Sequence, residues 1–153
     1  MSFTLKERPI FMIGAERSGT TLVMAMLGCH SRIAVPEVVW YYPRFYPYLH
    51  TYGDLSREEN FLTLAREMVF GLKTPFWGMQ VNPRTIVDEV IELAPERSFA
   101  GLYAGMHRRF AQYMNKPRWG EKTPHNLFFV GPMHNDFPNA QFIYITRDGR
   151  DSC

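Results

Sequence analysis

The sequence predicts an α/β fold of the P-loop type: a three-layer arrangement with a parallel sheet flanked by helices, truncated at the C-terminus. Two observations predict it. The apolar run Pro9-Ile10-Phe11-Met12-Ile13 leads into Gly14-Ala15-Glu16-Arg17-Ser18-Gly19-Thr20-Thr21 and then a stretch rich in Leu, Met and Ala. That is a buried strand, a glycine turn and a helix start, which together form a site for a phosphate or sulfate oxyanion. Strand-like and helix-like segments then alternate, which implies a parallel sheet covered on both faces. The polar clusters fall just after strands, where ligands bind in such sheets.

In chain order, residues 10–14 read as the first strand and 19–29 as the first helix. Arg32-Ile33-Ala34-Val35 reads as a short second strand ending at Pro36. The aromatic stretch from Val39 to Tyr48 has no regular period, and Pro43 and Pro47 interrupt a helix there. It reads as a loop that either fills core with its own rings or walls an acceptor pocket. Ser56 and Glu59 have capping-box spacing, so a helix is expected from there to about Phe70, ending near Gly71. Asn82-Pro83 opens another, with Ile86, Val87, Val90, Ile91 and Leu93 as its apolar face. A third is expected from near Pro95 to about Asn115, with Phe99, Leu102, Tyr103, Met106, Phe110 and Tyr113 inward. Arg118-Trp119-Gly120-Glu121-Lys122 reads as a strand. A short helix from His125 to Val130 is expected to end at Gly131-Pro132. Gln141 to Thr146 is the last strand, by its β-branched and aromatic content. Arg147-Asp148-Gly149-Arg150-Asp151 then reads as the first turn of a helix that the chain does not complete. Residues 1–153 are therefore read as a single domain, the N-terminal fragment of a longer protein.

Bulk properties narrow the function classes. Hydrophobic residues make up 46% and charged residues 21%, the balance of an ordinary globular domain with a sizeable core. A net charge of +2 is too small to argue for nucleic acid or an anionic membrane as partner. No apolar stretch reaches membrane-spanning length, and nothing before Lys6 resembles a signal peptide. Cys29 and Cys153 form no disulfide framework and suit a reducing compartment, so the chain is read as cytoplasmic. The oligomeric state is left open.

The loop's chemistry lies in what it lacks. Its glycines fit the Walker spacing Gly-x-x-x-x-Gly-Lys-[Ser/Thr], but Thr20 occupies the lysine position. That lysine reaches the β- and γ-phosphates of a nucleoside triphosphate, so its absence argues against ATP chemistry. The loop instead offers Arg17 as cation and Ser18, Thr20 and Thr21 as hydroxyl donors. The bland alternative is a tight strand-to-helix turn that binds nothing.

Three segments considered together carry a resemblance: residues 14–22, Trp119-Gly120-Glu121-Lys122-Thr123-Pro124, and residues 142–151. In this order they resemble the sulfotransferases that use 3′-phosphoadenosine 5′-phosphosulfate (PAPS), in the branch of bacterial and protein-tyrosine enzymes. Residues from about 50 to 115 carry none of the likeness. The resemblance implies that Arg17, Ser18, Gly19, Thr20 and Thr21 hold the 5′-phosphosulfate and that Arg147 binds the 3′-phosphate. Arginine suits bidentate oxyanion recognition. The family's serine partner to that arginine would lie past Cys153, and Ser152 stands too close to replace it. Arg17, the loop N–H groups and Lys122 would stabilise charge on the bridging oxygen of the leaving phosphate. No metal is implied, and no metal-ligand spacing is present. Lys122 and the Arg147–Asp148–Arg150 cluster can equally be solvated surface charge.

The acceptor's base has two candidates. The tyrosine-sulfating branch has paired glutamates after strand two, the second acting as base. Here Glu37 matches the first and Val38 stands at the second. Trp40 replaces an arginine that helps bind acidic peptides, which disfavours a protein-tyrosine acceptor. His125 is the second candidate, one residue out of register with the base histidine of small-molecule sulfotransferases, though a histidine is chemically apt. His30 reads as a helix-end residue near the C-terminal carbonyls, and His50, His107 and His134 show no evident partner. The acceptor is expected to be a small molecule, glycan or lipid with a hydroxyl group, or, as the lesser option, an amine. The alternatives are a P-loop kinase or NTPase, opposed by Thr20 and the absence of an aspartate directly after the last strand, and a non-catalytic nucleotide-binding fragment.

Overall fold

A computed structural model of the chain describes residues 8–71 and 76–151; Ser152 and Cys153 lie outside them. Among the described residues four strands, β1 (Ile10–Gly14), β2 (Ile33–Ala34), β3 (Arg118–Lys122) and β4 (Gln141–Ile145), form one sheet in the order β2-β3-β1-β4. Each neighbouring pair is parallel, so all four carboxyl ends share one edge. Helices α1 (Thr20–Gly28), α2 (Tyr41–Phe45), α3 (Glu58–Phe70), α4 (Ile86–Leu93), α5 (Phe99–Tyr113) and α6 (Val130–Asp136) flank it.

Side-chain alternation along a strand assigns the layers. Phe11 pairs in register with Glu121 and Phe142. Its ring centroid lies 6.3 Å from Tyr103 of α5, 5.9 Å from Trp119 and 5.6 Å from Phe137. Phe11, Trp119 and Glu121 therefore point toward α5 and the main core. Lys122, next along β3, points to the other face, where its ammonium meets Thr21 of α1. On that side Met12 is fully buried, while Leu22 and Met26 of α1 are each 66% exposed.

Several elements depart from the sequence expectation. The aromatic stretch is helical, α2 followed by a 3₁₀ helix over Tyr46–Tyr52. Pro43 and Pro47 sit in first turns, where a missing N–H costs little. Tyr41, Tyr42 and Phe45 are buried core while Tyr48 is exposed, so most of these rings fill core. The Ser56 capping box does not form: α3 starts at Glu58 with Arg57 as its cap residue. Instead the Asp54 carboxylate accepts from the Ser56 N–H at 2.9 Å. Asn82 likewise closes an Asx turn with the Arg84 N–H at 3.0 Å, delaying α4 to Ile86. Ser98 caps α5, accepting from the Gly101 N–H at 2.9 Å, and Tyr113, expected inward, is half exposed. After β3 a 3₁₀ turn over Pro124–Phe129 continues into α6 straight through Gly131-Pro132, because Pro132 falls within α6's first turn. A short 3₁₀ turn, Gly149–Asp151, stands where a helix start was expected.

His107 belongs to the core. It is fully buried, donates from Nδ1 to the Tyr103 carbonyl at 2.8 Å, and stacks on Trp119 at 4.8 Å. Burial pushes its pKa down to about 4, so it is neutral at physiological pH. His30 accepts the Arg32 N–H at 3.1 Å, shaping the turn into β2.

Candidate functional site

The site is built where the parallel strands end. The loop after β1 turns through Arg17 (φ 64°) and Gly19 (φ 102°), both left-handed. A non-glycine residue in that region costs energy, and such residues concentrate at ligand sites. The Ser18 hydroxyl donates to the Ala15 carbonyl at 2.7 Å and holds the turn closed. Gly14 (φ +156°) is required by close approach: a Cβ there would stand 2.5 Å from the Ile145 carbonyl oxygen of β4. Only glycine lets the loop and β4 leave the sheet side by side.

Helix α1 then starts without help. Gly19 at its N-cap makes no side-chain hydrogen bond, and its first turn carries no acidic residue. The first N–H groups of the helix and the positive end of its dipole are thus left for an anion. Thr20 is buried, whereas Arg17 and Thr21 are exposed.

The loop has no lysine of its own, and one from the neighbouring strand reaches it. Lys122 sits opposite Met12 in register, so its buried stem runs along the sheet toward the loop. Its Nζ donates to Thr21 Oγ1 at 3.3 Å. Burial holds the Lys122 pKa below its usual value, while the nearby Glu121 and Glu37 carboxyls pull it back up. Glu37 itself is exposed, in the segment after β2. Lys122, Thr21 and Glu37 are thereby brought together from three elements.

His125 lies on the same edge, one turn after β3. Its ring packs 4.5 Å from Trp40, and its Nδ1 approaches Glu16 at 3.5 Å, a pair that is ionic only when the ring is protonated. Gly14, Ala15 and Glu16 of the loop, with Pro124, His125, Leu127 and Phe128, enclose a pocket of about 300 Å³. Trp40 thus flanks this pocket through His125, unlike the core rings of α2. A larger hollow, about 700 Å³, lies among Tyr46, His50, Glu96, Ser98, Phe99 and Asp136, and its lining includes neither the loop nor Lys122.

Arg147 is exposed two residues past β4, on the opposite side of β1 from Lys122. Beside it Arg150 clasps Asp148 through two side-chain bonds, 3.0 and 2.7 Å long. These two charges offset one another locally.

Glu121 is the residue that sequence reading passed over. It is fully buried and accepts from Asn126 Nδ2 at 2.8 Å. The available signal was its place in a strand flanked on both sides, where any carboxylate is enclosed.

The Sulfotransferase family profile matches residues 9–153. An uncharacterized protein of Aquifex aeolicus (strain VF5) is 30% identical over 154 residues, spanning 95% of this chain and 16% of that protein. Protein-tyrosine sulfotransferase 2 of Gallus gallus is 28% identical over 148 residues, spanning 96% of the chain and 33% of its own length. Protein-tyrosine sulfotransferase 1 of Homo sapiens gives the same figures, 28%, 96% and 33%. The chain therefore spans a third or less of the length of these relatives. Among the described residues no helix is long and apolar enough to cross a membrane.

Proposed function

We propose that this chain, which belongs to the sulfotransferase family, forms the donor-binding part of an enzyme that moves a sulfuryl group from PAPS to an acceptor hydroxyl. An amine is the lesser alternative, and the acceptor is a small molecule, glycan or lipid. The observation that carries this reading is the meeting of Lys122 with Thr21 at the uncapped start of α1. A cation and a helix N-terminus converge where a doubly charged oxyanion would lie. PAPS supplies an activated sulfuryl group on a phosphate leaving group.

The residues divide the work by position. Arg17, Ser18, Gly19, Thr20 and Thr21 hold the 5′-phosphosulfate, and Arg147, on the β4 side, takes the 3′-phosphate. Lys122 and Arg17 stabilise charge on the departing phosphate. With the donor lying over β1 and β4, the acceptor enters on the β3 and β2 side. Glu37 is our first choice of general base and His125 the second. The Trp40–His125 wall suits a ring-bearing or apolar acceptor better than an acidic peptide, because Glu16 adds negative charge beside it. Cys29, a free thiol, fits a cytoplasmic, reducing setting.

Adenosine 3′,5′-bisphosphate should bind without magnesium. Arg147→Ala should weaken it roughly ten- to a hundred-fold, the value of a charge-assisted hydrogen bond, and weaken adenosine 5′-phosphate far less. Calorimetric titration checks both. Preference for ATP with magnesium over the bisphosphate would overturn the reading in favour of a P-loop kinase or NTPase. Between the bases, Glu37→Gln is expected to lower turnover by about 10²-fold or more and His125→Ala by less. Undiminished turnover in Glu37→Gln would transfer the role to His125.

A further inference from the structure

A corner buried beneath the site contains one hydrogen too few. Thr123 Oγ1 lies within hydrogen-bonding reach of the Val39 carbonyl and of Glu121 Oε1. A carbonyl oxygen only accepts, an ionised carboxylate only accepts, and a threonine hydroxyl has one proton to give. Val39, Glu121, Thr123 and Asn126 are all buried, none more than 1% exposed. An ionised Glu121 would leave Thr123 facing two acceptors with a single proton, so that one of these two close contacts would have no hydrogen between its oxygens. A protonated Glu121 removes the conflict. Its O–H donates to Thr123, Thr123 donates to Val39, and Asn126 Nδ2 donates to the other carboxyl oxygen at 2.8 Å.

We infer that Glu121 is a positioning residue that acts as a neutral carboxylic acid, relaying a hydrogen bond through Thr123 to Val39. The inference rests on the sulfotransferase reading only in treating Glu37, Lys122 and His125 as site residues. The relay ties together the segments that carry them: Val39 lies two residues after Glu37, Glu121 immediately precedes Lys122, and Asn126 immediately follows His125. One buried proton thus holds three walls in register. The titratable groups facing the carboxyl are Lys122 on its own strand, Tyr103 on α5 and Tyr42 on α2. Burial keeps both phenols neutral; the hydrogen bonds from Thr123, Asn126 and Tyr103 and the charge of Lys122 favour the ionised form, and burial outweighs them. Consistent with the geometry, burial raises the Glu121 pKa to about 7.

The sign of the pH dependence follows. Glu121 holds its proton longer when folded than when unfolded, so its contribution to stability is complete below about pH 4.5 and is lost as pH rises to about 7. His107 runs the other way, since its lowered pKa removes stability as pH falls from about 6.5 to about 4. A profile of the parent protein would mix the two, and a comparison with a Glu121 variant cancels His107.

The test compares Glu121→Gln, Glu121→Ala and Thr123→Val in the whole chain. A glutamine amide donates to Thr123 and its oxygen accepts from Asn126, as the neutral acid does. Glu121→Gln should therefore match the parent in thermal midpoint near pH 4.5, gain on it steadily to about pH 7, and hold a constant lead above. Infrared difference spectra should show a protonated carboxyl band near neutral pH that Glu121→Gln abolishes. Amides of residues 38–40 should exchange faster in Glu121→Ala and Thr123→Val than in Glu121→Gln. A pH-independent gap, no such band, or exchange as fast in the glutamine variant as in the alanine one would overturn the inference. None of these readouts needs donor or acceptor. If they hold and no sulfuryl transfer is found, it is the functional reading that fails.

Discussion

Replacing Lys122 with methionine is expected to lower sulfuryl transfer by about 10²–10³-fold, the usual effect of removing one group that stabilises transition-state charge. The substitution is chosen so that little else changes. Lys122 is 5% exposed and its stem runs along the sheet, so an unbranched apolar side chain of similar reach fills the space and leaves no cavity. What disappears is the ammonium at 3.3 Å from Thr21 Oγ1. Because the charge on the bridging oxygen develops as the sulfuryl group departs, the loss should fall on kcat, with affinity for adenosine 3′,5′-bisphosphate reduced much less. Arginine should not restore the rate. Its planar fork is wider than an ammonium and would have to enter a space shaped for a point charge. Steady-state kinetics on the methionine variant decide the matter. Turnover within about threefold of the parent would make Lys122 a structural residue and leave Arg17 as the working cation.

The second large effect is on stability. Phe11→Ala should cost about 3–5 kcal/mol, as large-to-small changes in packed cores do. For a chain of this size that is roughly 6–20 °C in melting temperature. The ring is fully buried, and its centroid lies between 5.4 and 6.3 Å from those of Phe142, Phe137, Trp119 and Tyr103. Those partners come from β4, the segment after α6, β3 and α5, so one side chain joins the sheet to its main helical layer. The cavity left by alanine has rigid aromatic walls that cannot collapse into it. Urea denaturation showing a loss below about 1 kcal/mol would mean that this cluster is not the centre of the core.

The unit from β1 through the loop to α1 was legible because each of its signals is local. An apolar run, two glycines and a Ser/Thr cluster act on residues within a few positions of one another, and the strand and helix formed where expected. The positions of Lys122 at the end of a strand and of Glu37 and Arg147 just after strands were legible for the same reason. Capping was less so. Ser56 has the spacing of a cap, but Asp54 bonds its N–H first, and the two arrangements compete within a fraction of a turn. Prolines misled at residues 43 and 47, since their effect depends on whether they fall in a first turn or an interior one. Glu121 was passed over because its residue type is ordinary and only its enclosure is not.

By itself, then, the sequence determined the glycine loop between β1 and α1, the absence of a lysine in it, and a set of polar residues at or just beyond strand ends. Only the tertiary structure decided which of them meet. Strand order is a matter of long-range packing, and no local period encodes that β3 lies against β1, so that Lys122 reaches Thr21 across 101 positions of chain. The same packing separates two adjacent residues of β3. Alternation turns Lys122 toward the loop as a cation and its neighbour Glu121 into the core, where burial favours the uncharged acid.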